Sequence, residues 1–87
     1  MTIKLEIYSQ PDTCPACRRM EKTYDEMSKE FETEFIDIST DEGVERAYDK
    51  GIRSMPSVAV MKDGEMVDLI TGYMPKDNFR ARVYQNL

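Results

Sequence analysis

Cys14 and Cys17 are the only cysteines of this 87-residue chain, and two residues separate them. A pair so spaced can exchange with a disulfide or contribute ligands to a metal. Residues at i and i+3 of a helix lie close together, within disulfide reach. One sulfur can then attack and the other can resolve. The thiolate is the reactive form. The first turn of a helix favours it, through unpaired N–H groups and the positive end of the dipole. The flanking sequence places the pair at such a turn, so Cys14 is expected to be exposed with a lowered pKa. Cys17, one turn further in, is expected to be shielded.

Other chemistry is excluded by composition. There is no histidine, which removes Cys-His and Ser-His nucleophilic pairs and every His-containing zinc site. Two cysteines supply half of a Cys₄ site, so a structural zinc would have to bridge two chains. No metal or organic cofactor is expected. The 17 acidic and 12 basic residues leave a net charge of −5, which argues against nucleic acid as a partner, since phosphate binding needs a basic face. No apolar run approaches the ~18 residues of a membrane span. The N-terminus lacks the apolar stretch of an export signal. The expectation is a cytoplasmic monomer, and in a reducing compartment a cysteine pair is more often catalytic than structural.

The elements that must position the pair read in order. Ile3, Leu5 and Ile7 alternate with Lys4, Glu6 and Tyr8, the period of a strand. Residues 9–13 form a polar loop broken by Pro11. Pro15 suits a first helical turn, where its missing N–H is not needed. Cys17, Met20, Tyr24, Met27 and Phe31 follow at steps of three and four, one apolar stripe along a helix of about four turns. Arg18 and Arg19 read as part of its solvated face, and Met20 and Met27 as core. Residues 34–38 are a short strand. Ser39 or Thr40 caps a second helix, with Val44, Ala47 and Tyr48 inward and Gly51 at its end. Residues 57–61 and 65–71 are strands joined by the turn signal Asp63-Gly64. Pro75 opens a last helix with Phe79, Val83, Tyr84 and Leu87 inward. The order β-α-β-α-β-β-α gives an α/β protein, a four-stranded mixed sheet flanked by three helices. No repeat or linker interrupts it, so residues 1–87 read as one domain.

This order, with Cys14-Pro15-Ala16-Cys17 after the first strand and Met55-Pro56 before the hairpin, resembles the thioredoxin fold over essentially the whole chain. The stretch from Ile7-Tyr8-Ser9 to Cys17 is similar to glutaredoxins. The stretch from Gly51-Ile52-Arg53 through Pro56 and Lys62-Asp63-Gly64 to Gly72 is similar to thioredoxins. The resemblance implies that Cys14 attacks and Cys17 resolves. It implies that Pro56 is a cis-proline lying against the disulfide. It further implies that the Met55 backbone pairs with substrate and that Gly72 edges the substrate groove. Pro15, inside the motif, joins Met55, Pro56 and Gly72 as a candidate substrate-binding residue.

Some family features are missing. Thr13 stands where thioredoxins carry a tryptophan, and Tyr8 stands in place of their buried aspartate. The glutaredoxin lysine before the motif has no counterpart in Gln10-Pro11-Asp12. The glutaredoxin Gly-Gly before an aspartate is replaced by Gly72-Tyr73. The groups that would hold glutathione are therefore absent. The resemblance implies a thiol–disulfide oxidoreductase acting on disulfide-containing client proteins. Its electron donor would be a reductase of the thioredoxin-reductase type, or else a low-molecular-weight thiol. A glutathione-dependent glutaredoxin is the first alternative. A non-catalytic binding module or a zinc-bridged dimer is the second.

Overall fold

The computed structural model describes residues 2–87. The chain runs β1 (Ile3–Ser9), α1 (Pro15–Met27), β2 (Glu32–Asp37), α2 (Asp41–Asp49), β3 (Ser57–Lys62), β4 (Glu65–Thr71) and α3 (Lys76–Tyr84). The strands form one sheet in the order β2-β1-β3-β4. β1 and β2 are parallel across the α1 crossover, and β3 pairs antiparallel with both β1 and β4. The expected mixed sheet with three helices is present. A parallel neighbour requires a crossover, which α1 supplies, whereas β3 and β4 need only the two-residue turn. In that turn Asp63 and Gly64 both have positive φ, 53° and 86°, as a type I′ hairpin demands.

Two cores lie on opposite faces because strand side chains alternate. Leu5 and Ile7 of β1, Val58 and Val60 of β3 and Ile70 of β4 point to one face. There they meet Met20, Tyr24 and Met27 of α1 and Phe79 and Val83 of α3. Tyr8, Ile36 and Ala59 point to the other face and meet Ala47 of α2 and Ile52. Truncating a side chain such as Leu5, which is wholly buried, costs roughly 2–5 kcal/mol at such sites.

Several helical boundaries differ from the sequence reading. α1 stops at Met27, with Ser28 at its C-cap. Phe31 therefore lies beyond the helix, yet it still packs on the core, edge-on to Tyr84 at 5.3 Å. β2 begins at Glu32 and ends at Asp37. Thr40, not Ser39, caps α2, its hydroxyl accepting the Gly43 N–H at 3.0 Å. Val44 and Tyr48 are exposed. α2 approaches the sheet through its small residues, Gly43 and Ala47, and that close approach turns the larger side chains to its flanks. Tyr84, the last residue of α3, and Leu87 beyond it also stay exposed. Met66 and Val67 are exposed because β4 is an edge strand with a register shift opposite Val60 and Met61.

The α2 face also holds a buried ionic group. Glu6, 7% exposed, accepts the Tyr8 hydroxyl at 2.8 Å and faces Lys50 at 3.5 Å and Arg46 at 3.7 Å. A carboxylate with so little water is tolerated only when paired in this way. Arg46 also donates to Glu34 at 3.1 Å, and Lys4 reaches Glu34 at 3.0 Å. These bonds from Arg46 and Lys4 hold the Glu34 carboxyl down at about 2.

A Cβ on Gly43 would sit 2.0 Å from the Asp37 carbonyl oxygen, so backbone must move. Gly43→Ala should therefore lower stability in urea melts by about 1–3 kcal/mol, the range for overpacking, despite the ~1 kcal/mol alanine gains in a helix. An unchanged or higher midpoint would contradict that packing. Glu34 titrates lower in the folded chain than in the unfolded one, where a glutamate sits near ~4.3. Its contribution is present above that value and is lost as pH falls toward about 2. Glu34→Gln should flatten the pH dependence of stability across that window. An unaltered slope would show that the pairing is not made in solution.

Candidate active site

β1 delivers the chain to one end of the sheet and α1 takes it away. Between them the loop closes on itself, with the Thr13 and Cys14 N–H groups both donating to the Gln10 carbonyl, at 3.2 and 3.1 Å. The Arg18 guanidinium donates to the Pro11 and Asp12 carbonyls at 3.3 and 3.4 Å. Cys14 is the N-cap of α1, in extended conformation, and Pro15 is the first helical residue. The Cys14 sulfur accepts the Cys17 N–H at 3.1 Å. This is the place a serine or aspartate oxygen takes in an ordinary cap. Both cysteines are free; Cys14 is partly exposed and Cys17 is 0% exposed.

The other candidate residues come to the same end. Tyr8 near the end of β1 lies opposite Ser57 at the start of β3, and Ser57 lies opposite Thr71 at the end of β4. Met55 and Pro56 precede Ser57, and Gly72 follows Thr71. The Met55–Pro56 peptide bond is cis, and Pro56 is fully buried. The Gly72 N–H donates to the Pro56 carbonyl at 2.8 Å, and Gly72 has φ +81°, a conformation that favours glycine. Met55 is partly buried against the Tyr8 cluster. Pro15 is exposed. The sheet register thus gathers the cysteine loop, Met55-Pro56 and Gly72 at one end of the sheet.

Three further residues border the site. Arg19 stacks its guanidinium 4.0 Å from the centre of the Tyr73 ring, an arrangement worth roughly 0.5–1 kcal/mol at an exposed site. It ties the residue after Gly72 to α1. Arg18, read from sequence as a solvated charge, is exposed and also braces the loop before Cys14. Its position four residues after Cys14, one helical turn, is the signal that could have found it. Tyr24, read as core alone, is buried in the field of both sulfurs. Burial first, then the negative charges of Cys17 and Cys14, push its phenol far above the ordinary value.

The electrostatics of Cys14 differ from the expectation. Burial, the bond with the Cys17 thiol and the Cys17 charge push the Cys14 thiol above its ordinary value. The Cys17 and Ala16 N–H groups pull it down, but by less. The helix start supplies its donors, and desolvation with a second sulfur outweighs them. Among the described residues no three His, Cys, Asp or Glu side chains converge as a metal site. The arrangement offers one accessible sulfur with a directed N–H, and one sealed sulfur behind it.

The coupling between the sulfurs sets a pH test. Removing the Cys17 thiol removes two of the influences that raise Cys14. In Cys17→Ala, the pH midpoint for Cys14 alkylation should shift downward from that of the reduced parent protein. In the parent, iodoacetamide should label Cys14 well before Cys17. An upward shift, or equal labelling of the two thiols, would reverse this picture of the site.

Comparison with known proteins agrees with this geometry. The family model for Thioredoxin matches residues 5–85. A thioredoxin from Synechocystis sp. is 35% identical over 76 residues, covering 85% of this chain and 71% of that protein. A thioredoxin from Bacillus subtilis is 30% identical over 76 residues, covering 85% of this chain and 73% of that protein. The X-ray structure of Fasciola hepatica thioredoxin superposes with a TM-score of 0.84 at 21% identity, covering 99% of this chain and 82% of that one. No helix among the described residues is long and apolar enough to cross a membrane. With a family match across nearly its full length and the paired cysteines at the expected turn, the chain belongs to the thioredoxin family.

Proposed function

We propose that this protein is a thiol–disulfide oxidoreductase that reduces disulfides in client proteins. The observation that carries the reading is the asymmetry of the pair: Cys14 partly exposed at the α1 cap, Cys17 sealed behind it. The Cys14 thiolate attacks one sulfur of the client disulfide, and the other leaves as a thiolate that takes up a proton. Cys17 then loses its proton and attacks the Cys14 sulfur. The Cys14–Cys17 disulfide forms and the second client sulfur leaves as thiol. Two electrons pass from the protein to the client. Burial of Cys17 keeps it from competing for clients, while its contact with Cys14 makes resolution intramolecular.

Met55, Pro56 and Gly72 form the client-binding edge in this reading, with Pro15 beside it. Their shared position at the sheet end beside the thiol loop supports that role. An extended client segment that pairs there is held by main-chain hydrogen bonds, which read no sequence, so the client range is broad. The oxidised protein is returned by a reductase of the thioredoxin-reductase type. Thioredoxin names among its relatives and the lack of a lysine in the Gln10-Pro11-Asp12 loop before Cys14 favour that donor over glutathione. A reducing cytosol is the compartment in which such a cycle would run.

The reading is tested by turnover and by trapping. With NADPH and a thioredoxin reductase, the protein should reduce insulin disulfides. Cys17→Ser should abolish turnover and accumulate mixed disulfides on non-reducing gels, while Cys14→Ser should trap none. Trapping by Cys14→Ser alone would invert the roles. Turnover with glutathione and glutathione reductase, but not with thioredoxin reductase, would make it a glutaredoxin. Stoichiometric zinc with no turnover would replace catalysis with a zinc-bridged dimer.

A further inference from the structure

The sheet is not covered by α1 as far as its β2 edge. Among the described residues β2 has one neighbour, β1, and nothing pairs with its other side. The Ile38 N–H donates to the Ser9 carbonyl at 3.2 Å. Strand alternation then turns the N–H and C=O groups of Thr33 and Phe35 outward, away from β1. Beside this open edge lies a groove of about 270 Å³ between α1 and β2. Its floor is apolar, built on Ile7, Tyr24 and Phe35. Phe35 is 57% exposed, an aromatic ring left on an open edge.

The rim of the groove is acidic. Glu21 and Asp25 of α1 and Asp37 of β2 line it. Every close ion pair among the described residues engages a different carboxylate: Glu6, Glu26, Glu30, Glu34 or Asp68. The three rim carboxylates have no basic partner, and Asp37 Oδ1 accepts the Ser39 N–H at 2.8 Å. An apolar floor under three unpaired negative charges fits one kind of side chain, a long apolar stem with a cationic head.

We propose that this groove docks an extended basic segment of a protein partner. The segment adds to the β2 edge and lays a lysine or arginine over Phe35 toward Glu21, Asp25 and Asp37. Main-chain bonds to Thr33 and Phe35 supply the pairing, as in strand addition at other open sheet edges. The charges supply selection and faster encounter. A second copy of this chain is a poor occupant, because its own β2 edge carries Glu32 and Asp37 and like charges would meet. The groove extends to Pro11, in the loop that leads into Cys14. A partner held here lies beside the thiol pair without using Met55 or Gly72, so docking is separable from thiol chemistry.

The probe is a cysteine-free, fluorescein-labelled ten-residue peptide of alternating lysine and valine. Its control carries glutamate for lysine. Anisotropy titrations at low and high salt should show saturable binding of the lysine peptide only, weakened by salt. The double variant Glu21→Gln/Asp25→Asn should weaken binding by about tenfold or more, as expected for charges facing a partly desolvated cation. Phe35→Thr, a change compatible with a strand, should also weaken it. Amide shifts on titration should concentrate at residues 33–37 and 21–25. Client-disulfide turnover, measured with a substrate lacking basic residues, should be unaffected by these variants. Equal binding by the double variant would overturn the proposal, as would shifts spread over the whole acidic surface or centred on Met55 and Gly72. Self-association of the free protein that Phe35→Thr abolishes would assign the groove to a second copy and overturn it too.

Discussion

The antiparallel register of β3 between β1 and β4 is the constraint on which the site depends. Tyr8 opposite Ser57, and Ser57 opposite Thr71, fix where three connections leave the sheet. A slip of one residue would turn Val58 and Val60 from the α1 face to the α2 face and exchange the two cores. The cost of that exchange holds the register, since both faces are closed by helices. Met55-Pro56 and Gly72 reach the cysteine loop as a consequence. The hydrogen bond from Gly72 to Pro56 joins two of those connections directly. The stacking of Arg19 on Tyr73 joins the third. Core packing and site geometry are thus one problem with one solution.

The strands and the cysteine turn were legible because their signals are local. A period of two in Ile3, Leu5 and Ile7, a proline after Cys14 and an Asp-Gly pair each act through their own backbone. The arrival of Met55-Pro56 at the same end of the sheet as the cysteine loop was legible only through resemblance and topology, because no local pattern links residues 42 positions apart. α2 was misread on its buried face for a physical reason. Periodicity assigns Val44 and Tyr48 inward by their apolar character, but Gly43 and Ala47 allow a closer approach. In a helix of nine residues the small pair sets the contact. The Glu6–Tyr8–Lys50–Arg46 group was also hidden. Its members are scattered in the sequence, and Glu6 occupies what alternation reads as a solvent position. α2 covers that position with cations rather than apolar atoms.

In the proposed exchange, the electrostatics around the thiols favour giving electrons over taking them. A motif whose thiolate is strongly stabilised holds its reduced form and becomes an oxidant, at the ~−120 mV end of this chemistry, whereas weaker stabilisation moves it toward ~−270 mV. Here the backbone donors to the Cys14 sulfur are opposed by burial and by the adjacent Cys17 sulfur. No histidine exists to supply a compensating positive charge. Arg18, the nearest cation along the helix, turns one guanidinium nitrogen to the Pro11 and Asp12 carbonyls, and Arg19 lies over Tyr73. The Tyr24 phenol, buried near both sulfurs, is itself held protonated and adds no charge. Burial and the second sulfur thus outweigh the backbone donors at Cys14, and the dithiol gains little from its surroundings by staying reduced. In the proposed cycle, that balance would favour closure of the Cys14–Cys17 disulfide and release of a reduced client.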